Sequence, residues 1–325
     1  MTTAADNPRR PPDGDRQPAQ RVPNALTVDV EDWVQSVFDP TAALTDWFIH
    51  NTRRVLEHLA ERDVRATFFV LGLAARKAPN LVREIQAAGH EIQSHGYGHR
   101  PIHHMTPAQF REDVLQAKHI LEDTIGRSVT GYRAPAFSIT LGTLWALDVL
   151  AACGYEYDSS IFPVRMRRYG IRGAARFAHR IPTRDGRTLL ELPVACARVL
   201  GRTWPMGGGG YFRLLPYSFI RRGIDRINRA GQSAVIYMHP YEYNPQELRS
   251  LPVRVPAGLF VHQYLGRSGF RNKLDRLLSE FAFTTMSEVA ASLPSVPLRA
   301  YRSRMGVETS AKVYRRIAGA AALQS

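Results

Sequence analysis

The sequence predicts an α/β fold built on a parallel sheet. Three observations predict it. Short β-rich runs alternate with helical patterns about seven times along the chain. The run over residues 64–71 is continuously apolar, as strands covered on both faces are. Glycine and proline punctuate the alternation where helices start and stop. A barrel and an open doubly wound sheet both satisfy this pattern.

Residues 25–30 (ALTVDV) form the first strand. Residues 46–62 follow as a helix, with Leu44, Phe48, Val55, Leu56 and Leu59 on its apolar face. The run 64–71 is the second strand, bounded by Gly72. A helix is predicted over 74–88, ending at Gly89, the residue type favoured just past a helix end. Residues 90–95 are a strand. Thr106 and Pro107 supply the cap and first residue of a helix reaching about Thr124. Strands are expected at 129–133, 154–158, 188–194 and 233–239, with helices at 141–152 and 216–230. A helix at 273–281, a strand at 281–285 and a helix at 287–293 complete the unit. Residues 161–215, rich in Gly and Arg, are expected to form an irregular insertion over one face. One catalytic domain is read over 24–297. A disordered leader, 1–23, precedes it, and a basic tail, 298–325, with a short helix at 311–322, follows.

Of 325 residues, 44% are hydrophobic and 22% are charged, the balance of a globular chain with a sizeable core. No apolar run approaches the ~18 residues that cross a bilayer as a helix. Cys153 and Cys196 are too few for a disulfide scaffold or a cysteine-built zinc finger. The leader lacks the apolar stretch of a secretory signal, so a cytoplasmic location is expected. The 43 basic residues outnumber 29 acids, for a net charge of +14. Residues 161–230 hold 15 arginines and three acids, which is +12 of that total. Such a stretch points to an anionic partner: nucleic acid, lipid head groups or a phosphate-bearing substrate. Arginine-favouring codon usage would give the same count.

Three groups carry chemistry, each at the carboxyl end of a predicted strand, where parallel α/β folds place their sites. The first is Asp29-Val30-Glu31-Asp32. Its like charges need an offset from solvent, an arginine or a metal, and extended alternation puts Asp29 and Glu31 on one side. The second is Ser94-His95-Gly96-Tyr97-Gly98-His99, whose two imidazoles can share a metal. His103 and His104 lack that strand-end context and read as surface residues or as side chains that support the ligands from behind. The third is His239, a candidate acid or base after Tyr237-Met238. Arg133 and Asp158 end two further strands and are expected to pair with charged groups in the site. Two histidines plus a carboxylate suit a divalent metal with an open position. Zn²⁺ fits such ligands, and Co²⁺, Mn²⁺, Ni²⁺ and Fe²⁺ share the preference. With a base and an acid beside it, the set suits hydrolysis of an amide or ester.

In order, these segments resemble the polysaccharide deacetylase family, also called NodB-homology domains or carbohydrate esterase family 4. The resemblance rests on Leu26–Asp32, Ser94–His99, Arg133-Ala134-Pro135-Ala136-Phe137, Tyr157–Ser160 and Tyr237–His239. It covers about residues 25–293. Asp29–Trp33, Gly208–Tyr217 and His239–Tyr243 resemble more narrowly the exosortase (PEP-CTERM) locus-associated deacetylases of bacterial exopolysaccharide biosynthesis. The resemblance implies a distorted (β/α)₇ barrel and a metal-dependent hydrolase of N-acetyl groups. It implies Asp29 as general base, Arg133 as the residue orienting it, and His95 and His99 as metal ligands. His239 would be the general acid, held by Asp158. Many relatives carry adjacent aspartates at the first motif. Here the metal carboxylate is Glu31 or Asp32, with Glu31 preferred because it shares a side with Asp29. The fourth motif lacks a tryptophan often found there. Trp33, Phe137, Trp204 and Tyr211 are candidates for the apolar, sugar-facing surface.

The expected substrate is an N-acetylated glycan or its lipid-linked precursor, met at the inner membrane face, where an anionic surface would attract the arginine-rich stretch. An amidohydrolase acting on a small linear or cyclic amide, as in allantoinase-like relatives, is the alternative. A catalytically dead glycan-binding protein conflicts with the intact Asp29, His95, His99 and His239. No aromatic-interleaved nucleic-acid motif is present, so nucleic acid is not an expected partner. The sequence does not set the oligomeric state.

Overall fold

A computed structural model describes residues 22–164, 166, 169–251, 253–294 and 296–301. Most of the predicted leader and tail, including the helix expected at 311–322, lies outside the described residues, as do Arg165, Arg167 and Arg168.

The strands in chain order are β1 (Asn24–Val30), β2 (Thr67–Val70), β3 (Glu91–Ser94), β4 (Gly131–Tyr132), β5 (Tyr157–Asp158), β6 (His179–Pro182), β7 (Thr188–Glu191), β8 (Cys196–Val199), β9 (Arg202–Pro205), β10 (Val235–Met238) and β11 (Phe283–Thr284). The main sheet runs β10-β1-β2-β3-β4-β5-β7-β6, and all its pairings are parallel except β6 with β7. β1 is buried along its whole length, as a central strand flanked by β2 and β10 must be. β11 pairs with Asn24 and Ala25 on the β2 side: Asn24 N–H bonds to Ala282 O, while Ala25 N–H bonds to Ala234 O on the β10 side.

Seven strands, β1–β5, β7 and β10, are parallel, and single-residue bridges join the last to the first. The chain leaving β7 bridges Val194 to Val235, and Gly208 bridges Tyr237. That makes the distorted seven-stranded barrel the resemblance implied. The run Gly207–Gly210 explains itself at this seam. Gly208 sits at φ 134°, and a Cβ there would lie 1.6 Å from the Tyr237 carbonyl oxygen. Only glycine lets the two backbones meet.

The helix over Trp47–Glu61 buries Phe48, Val55 and Leu59, with Leu44 packed before it. Thr106 caps the helix Pro107–Ile125 in a reciprocal arrangement with Gln109. Two expectations are corrected. The single helix predicted over 74–88 is two, Gly72–Lys77 and Pro79–Ala87. Pro79 has no N–H to continue the first helix and disfavours helical backbone at Ala78, which sits at φ −134°. The stretch 161–215 is not an irregular insertion. It contains β6, the barrel strand β7, the β8–β9 hairpin and the helix Gly209–Leu214. Four-residue strands are too short to register as a period. Contacts also continue past residue 297: Leu298 bridges Arg180, and the Tyr301 hydroxyl lies 2.7 Å from His179 Nε2.

Candidate active site

The carboxyl ends of β1, β3, β4 and β10 converge on one buried polar cluster. β1 delivers Asp29 and Glu31 to the same side, as its alternation requires, and both are buried. β3 delivers His95. The loop after it turns through Gly96 (φ 78°) and brings back His99, itself in the left-handed region at φ 57°. Asp113 pins that loop by accepting the Tyr97 N–H at 2.9 Å. Burial raises the Asp113 carboxyl to about 6, against the hydrogen bonds from Tyr97 and Gly98.

Glu31 Oε1 faces three imidazoles. It lies 2.9 Å from His95 Nε2, 3.1 Å from His99 Nε2 and 3.8 Å from His239 Nε2. Burial opposes its charge, but His99, His239 and the bonds from His95 and His99 hold it well below the usual carboxylate range. Glu31, His95 and His99 can each offer one ligand atom to a common ion, and so can Asp29, Glu31 and His239.

Proton accounting supports a cation here. His95 Nδ1 lies 2.8 Å from the Arg133 carbonyl oxygen, which can only accept, so Nδ1 carries the hydrogen. A neutral His95 then presents a bare Nε2 to Glu31 Oε1, one acceptor facing another. A divalent ion between them resolves the conflict, and two imidazole nitrogens with one carboxylate oxygen form a donor set for zinc-like metals.

Arg133 is fully buried. It donates to Asp29 Oδ1 at 2.8 Å, to the Thr27 hydroxyl at 2.6 Å and to the Ser159 hydroxyl at 2.9 Å, and it lies over the Phe69 ring at 4.2 Å. It therefore orients Asp29 from beneath.

Asp32 does not join the cluster. Its Oδ1 accepts the N–H groups of Val34 and Gln35 at 3.0 and 3.2 Å, and its Oδ2 accepts the Thr45 N–H at 3.0 Å and the Thr45 hydroxyl. It closes a turn, and of the two carboxylates left open by the motif only Glu31 reaches the histidines.

Asp158 does not hold His239 either. It accepts from Ser160 and sits against Glu191 at the end of β7. Burial raises both acids, and the neighbouring Asp158 pushes Glu191 up further. The carboxylate on His239 is Glu242. Its Oε2 lies 3.4 Å from His239 Nδ1 and accepts the His239 backbone N–H at 3.1 Å. Arg213 Nε donates to the other Glu242 oxygen at 2.8 Å, and both partners are buried. Burial works against the charge on Glu242, but His239 and Arg213 lower its pKa. Burial likewise opposes a charged His239, yet Glu31 and Glu242 raise it to about 9. Its ring stacks on Tyr241 at 4.8 Å. The turn His239-Pro240-Tyr241-Glu242 carries the signal: three residues on a tight turn bring Glu242 back to the imidazole. Arg213, 29 positions away, falls in the Gly208–Tyr217 segment of the narrower resemblance, but no spacing in the sequence ties it to Glu242.

The aromatic candidates divide. Trp33 is fully buried among Val34, Tyr241 and Leu248 and is core, not a sugar-facing surface. Phe137 packs on Phe162 and Tyr237, 5.3 and 4.9 Å between centroids, under the site beside Arg133. Tyr211 is half-buried, its hydroxyl 3.4 Å from that of Tyr169. Trp204 is exposed on β9 and packs on Phe219, with no described contact to the cluster.

A seven-stranded α/β barrel thus gathers an arginine-bound aspartate, a two-histidine carboxylate set that could hold an ion and a further histidine at its strand ends, where such folds place their sites. Residues 32–157 match the polysaccharide deacetylase family, and residues 159–291 match DUF3473, a domain of unknown function. The chain carries a polysaccharide deacetylase domain of the NodB-homology type, continued by that second segment. The matches divide the site: His95, His99 and Arg133 fall in the first, His239, Glu242 and Arg213 in the second. A Bacillus cereus peptidoglycan-N-acetylglucosamine deacetylase is 33% identical over 98 residues, 30% of this chain and 36% of that protein. A Bradyrhizobium chitooligosaccharide deacetylase is 31% identical over 100 residues, 31% of this chain and 43% of that protein. The chain thus matches less than half the length of either relative. Among solved structures, a Mycobacterium smegmatis protein assigned to the polysaccharide deacetylases aligns with a TM-score of 0.56 at 22% identity, over 89% of this chain and 93% of that one. The PuuE allantoinase aligns with a TM-score of 0.58 at 16% identity, over 90% and 100%. At these identities both likenesses concern the fold.

Proposed function

We propose that this protein is a metal-dependent N-deacetylase of an N-acetylated glycan. One observation supports it above others: Asp29 on Arg133, Glu31 against His95 and His99, and His239 on Glu242 share a single buried cluster. Glu31, His95 and His99 would hold the ion, most simply Zn²⁺. When bound, such an ion lowers the pKa of water and polarises a carbonyl. Asp29 stands as the base that takes a proton from the attacking water, and Arg133 fixes the angle from which it does so. The water oxygen bonds to the acetyl carbon and the C–N bond breaks. His239, paired in charge with Glu242, gives its proton to the departing nitrogen. The products are acetate and a free amine.

An exopolysaccharide role follows from the motifs shared with PEP-CTERM-associated deacetylases. Work at the inner membrane face is part of the same reading. Among the described residues no helix is long and apolar enough to cross a membrane.

The test is acetate release by the zinc-reconstituted protein from soluble, polymeric and lipid-linked N-acetyl sugars, with Asp29→Asn and His95→Ala alongside. Release lost in both variants supports the reading. A folded, metal-loaded protein that releases acetate from none of them, but hydrolyses a small cyclic amide, overturns it.

A further inference from the structure

Beyond the catalytic cluster, the molecule holds an open cavity of about 820 Å³ between β6, the β8–β9 hairpin and the loop at 172–178. Five arginines line it: Arg172, Arg176, Arg198, Arg202 and Arg299. Among the described residues no aspartate or glutamate does. Arg176 donates to the Cys196 carbonyl at 3.4 Å and lies over the Phe177 ring at 4.9 Å. None of the five has a carboxylate partner among the described residues. Elsewhere the fold pairs its arginines readily, as Arg53 with Glu84 and Arg187 with Asp185. Five unpaired guanidiniums around one concavity repel one another, and an anion inside would reverse that cost.

Topology puts the cavity at the catalytic end of the barrel. His179, on its wall, pairs with Glu191 at the carboxyl end of β7, and Glu191 pairs with Asp158 at the carboxyl end of β5. Val164, also on its wall, packs against the cluster of Phe162, Phe137 and Tyr237, and the Tyr237 ring lies 5.6 Å from His239. One aromatic wall therefore stands between the arginines and the acid.

We propose that this cavity is a binding site for a phosphate or diphosphate group. Guanidinium forks match phosphate oxygens two at a time, and a cavity surrounded by several of them suits a diphosphate better than a single charge. A concave pocket fits a discrete ligand, whereas a bilayer surface needs a flat or convex face. If the deacetylase reading holds, the same site assigns the substrate class: an N-acetylated sugar whose phosphate or diphosphate occupies the arginines while its acetamido group reaches Glu31 and His239.

Calorimetric titration of the full-length, zinc-loaded protein with inorganic diphosphate tests this. Saturable binding is expected. Arg198→Gln with Arg202→Gln should weaken it at least about tenfold, since each substitution removes charge-assisted hydrogen bonds. Arg222→Gln with Arg226→Gln, on the exposed face of the helix Tyr217–Arg229, should leave it unchanged, and both variants should melt like the parent. Equal weakening in both pairs, or none in the first, assigns the binding to net charge or to the metal and overturns the proposal. So does binding to phosphatidylglycerol vesicles without binding to diphosphate. For the substrate half, the Arg198/Arg202 variant should raise KM about tenfold for a phosphorylated N-acetyl sugar and leave it unchanged for the free sugar. Diphosphate binding without acetate release would sink the deacetylase reading and leave the anion site standing.

Discussion

Glu242 Oε2 accepts the His239 backbone N–H at 3.1 Å and lies 3.4 Å from His239 Nδ1, close enough to pair in charge while Nδ1 makes no hydrogen bond. Both contacts use the same oxygen, so the group anchored to the His239 backbone also places its charge beside the ring. The other oxygen belongs to Arg213. Glu242→Gln keeps the shape and removes the charge that favours the protonated imidazole. It is expected to lower kcat by about 10²-fold, the lower range for a positioned proton donor, with KM within about twofold. Asp158→Asn should spare kcat. Steady-state acetate release compares the two, and a larger kcat loss in Asp158→Asn would return the holding role to Asp158.

Glu31 and Asp32 separate by the same logic. Glu31→Gln removes the oxygen that faces three imidazoles, and stoichiometric zinc binding, read by metal analysis after dialysis, should be lost. Asp32→Ala strips the acceptor from three N–H groups and a hydroxyl, and should retain zinc while costing about 1–3 kcal/mol of stability. Retained zinc in Glu31→Gln would be the adverse result.

His90 gives a pH dependence outside the catalytic cluster. Its Nδ1 accepts the Ala66 N–H at 3.2 Å, which needs a neutral ring. Burial, with Arg65 nearby, lowers it from 6.5 to about 4. A depressed folded-state pKa means that its stabilising share is complete above about 6.5 and fades as pH falls toward about 4. Urea midpoints measured across that window should fall less steeply in His90→Gln than in the parent. Parallel curves would refute the assignment.

The barrel seam is testable at Gly208. An alanine there meets the Tyr237 carbonyl and takes a backbone angle that L-residues avoid. Gly208→Ala should cost more than about 3 kcal/mol, read by thermal or urea unfolding. A loss under about 1 kcal/mol would show that the seam can open without penalty.

Much of the site is legible because its residues end strands. Asp29, Glu31 and His239 follow apolar runs, His95 and Arg133 follow short strands, and a parallel sheet aligns such ends. What misled was adjacency. Asp32 and Trp33 continue an acidic motif, but the chain turns after Glu31 and sends both into structural roles. Asp158 ends a strand as expected, yet its neighbour across the sheet is Glu191, a register that sequence does not disclose. The strand expected at 188–194 is β7, but β6, β8 and β9 show no signal in sequence because four residues carry no period and their register is set by pairing. Pro79 was visible and should have divided its helix.

The position of β1 has a consequence for how the chain is made. Ala25 pairs with Val235, a partner synthesised about 200 residues later, so at about 5–20 residues per second one edge of β1 stays bare for about 10–40 s. Glu31, His95 and His99 are all translated within the first third of the chain, long before His239 exists. A growing chain can therefore gather its three candidate ligands while the strand beside them is still missing, with an open edge of unpaired backbone groups exposed to other nascent chains. The ribosome's pace, and whatever shields that edge meanwhile, belongs to the assembly of this catalytic centre as much as the residues do.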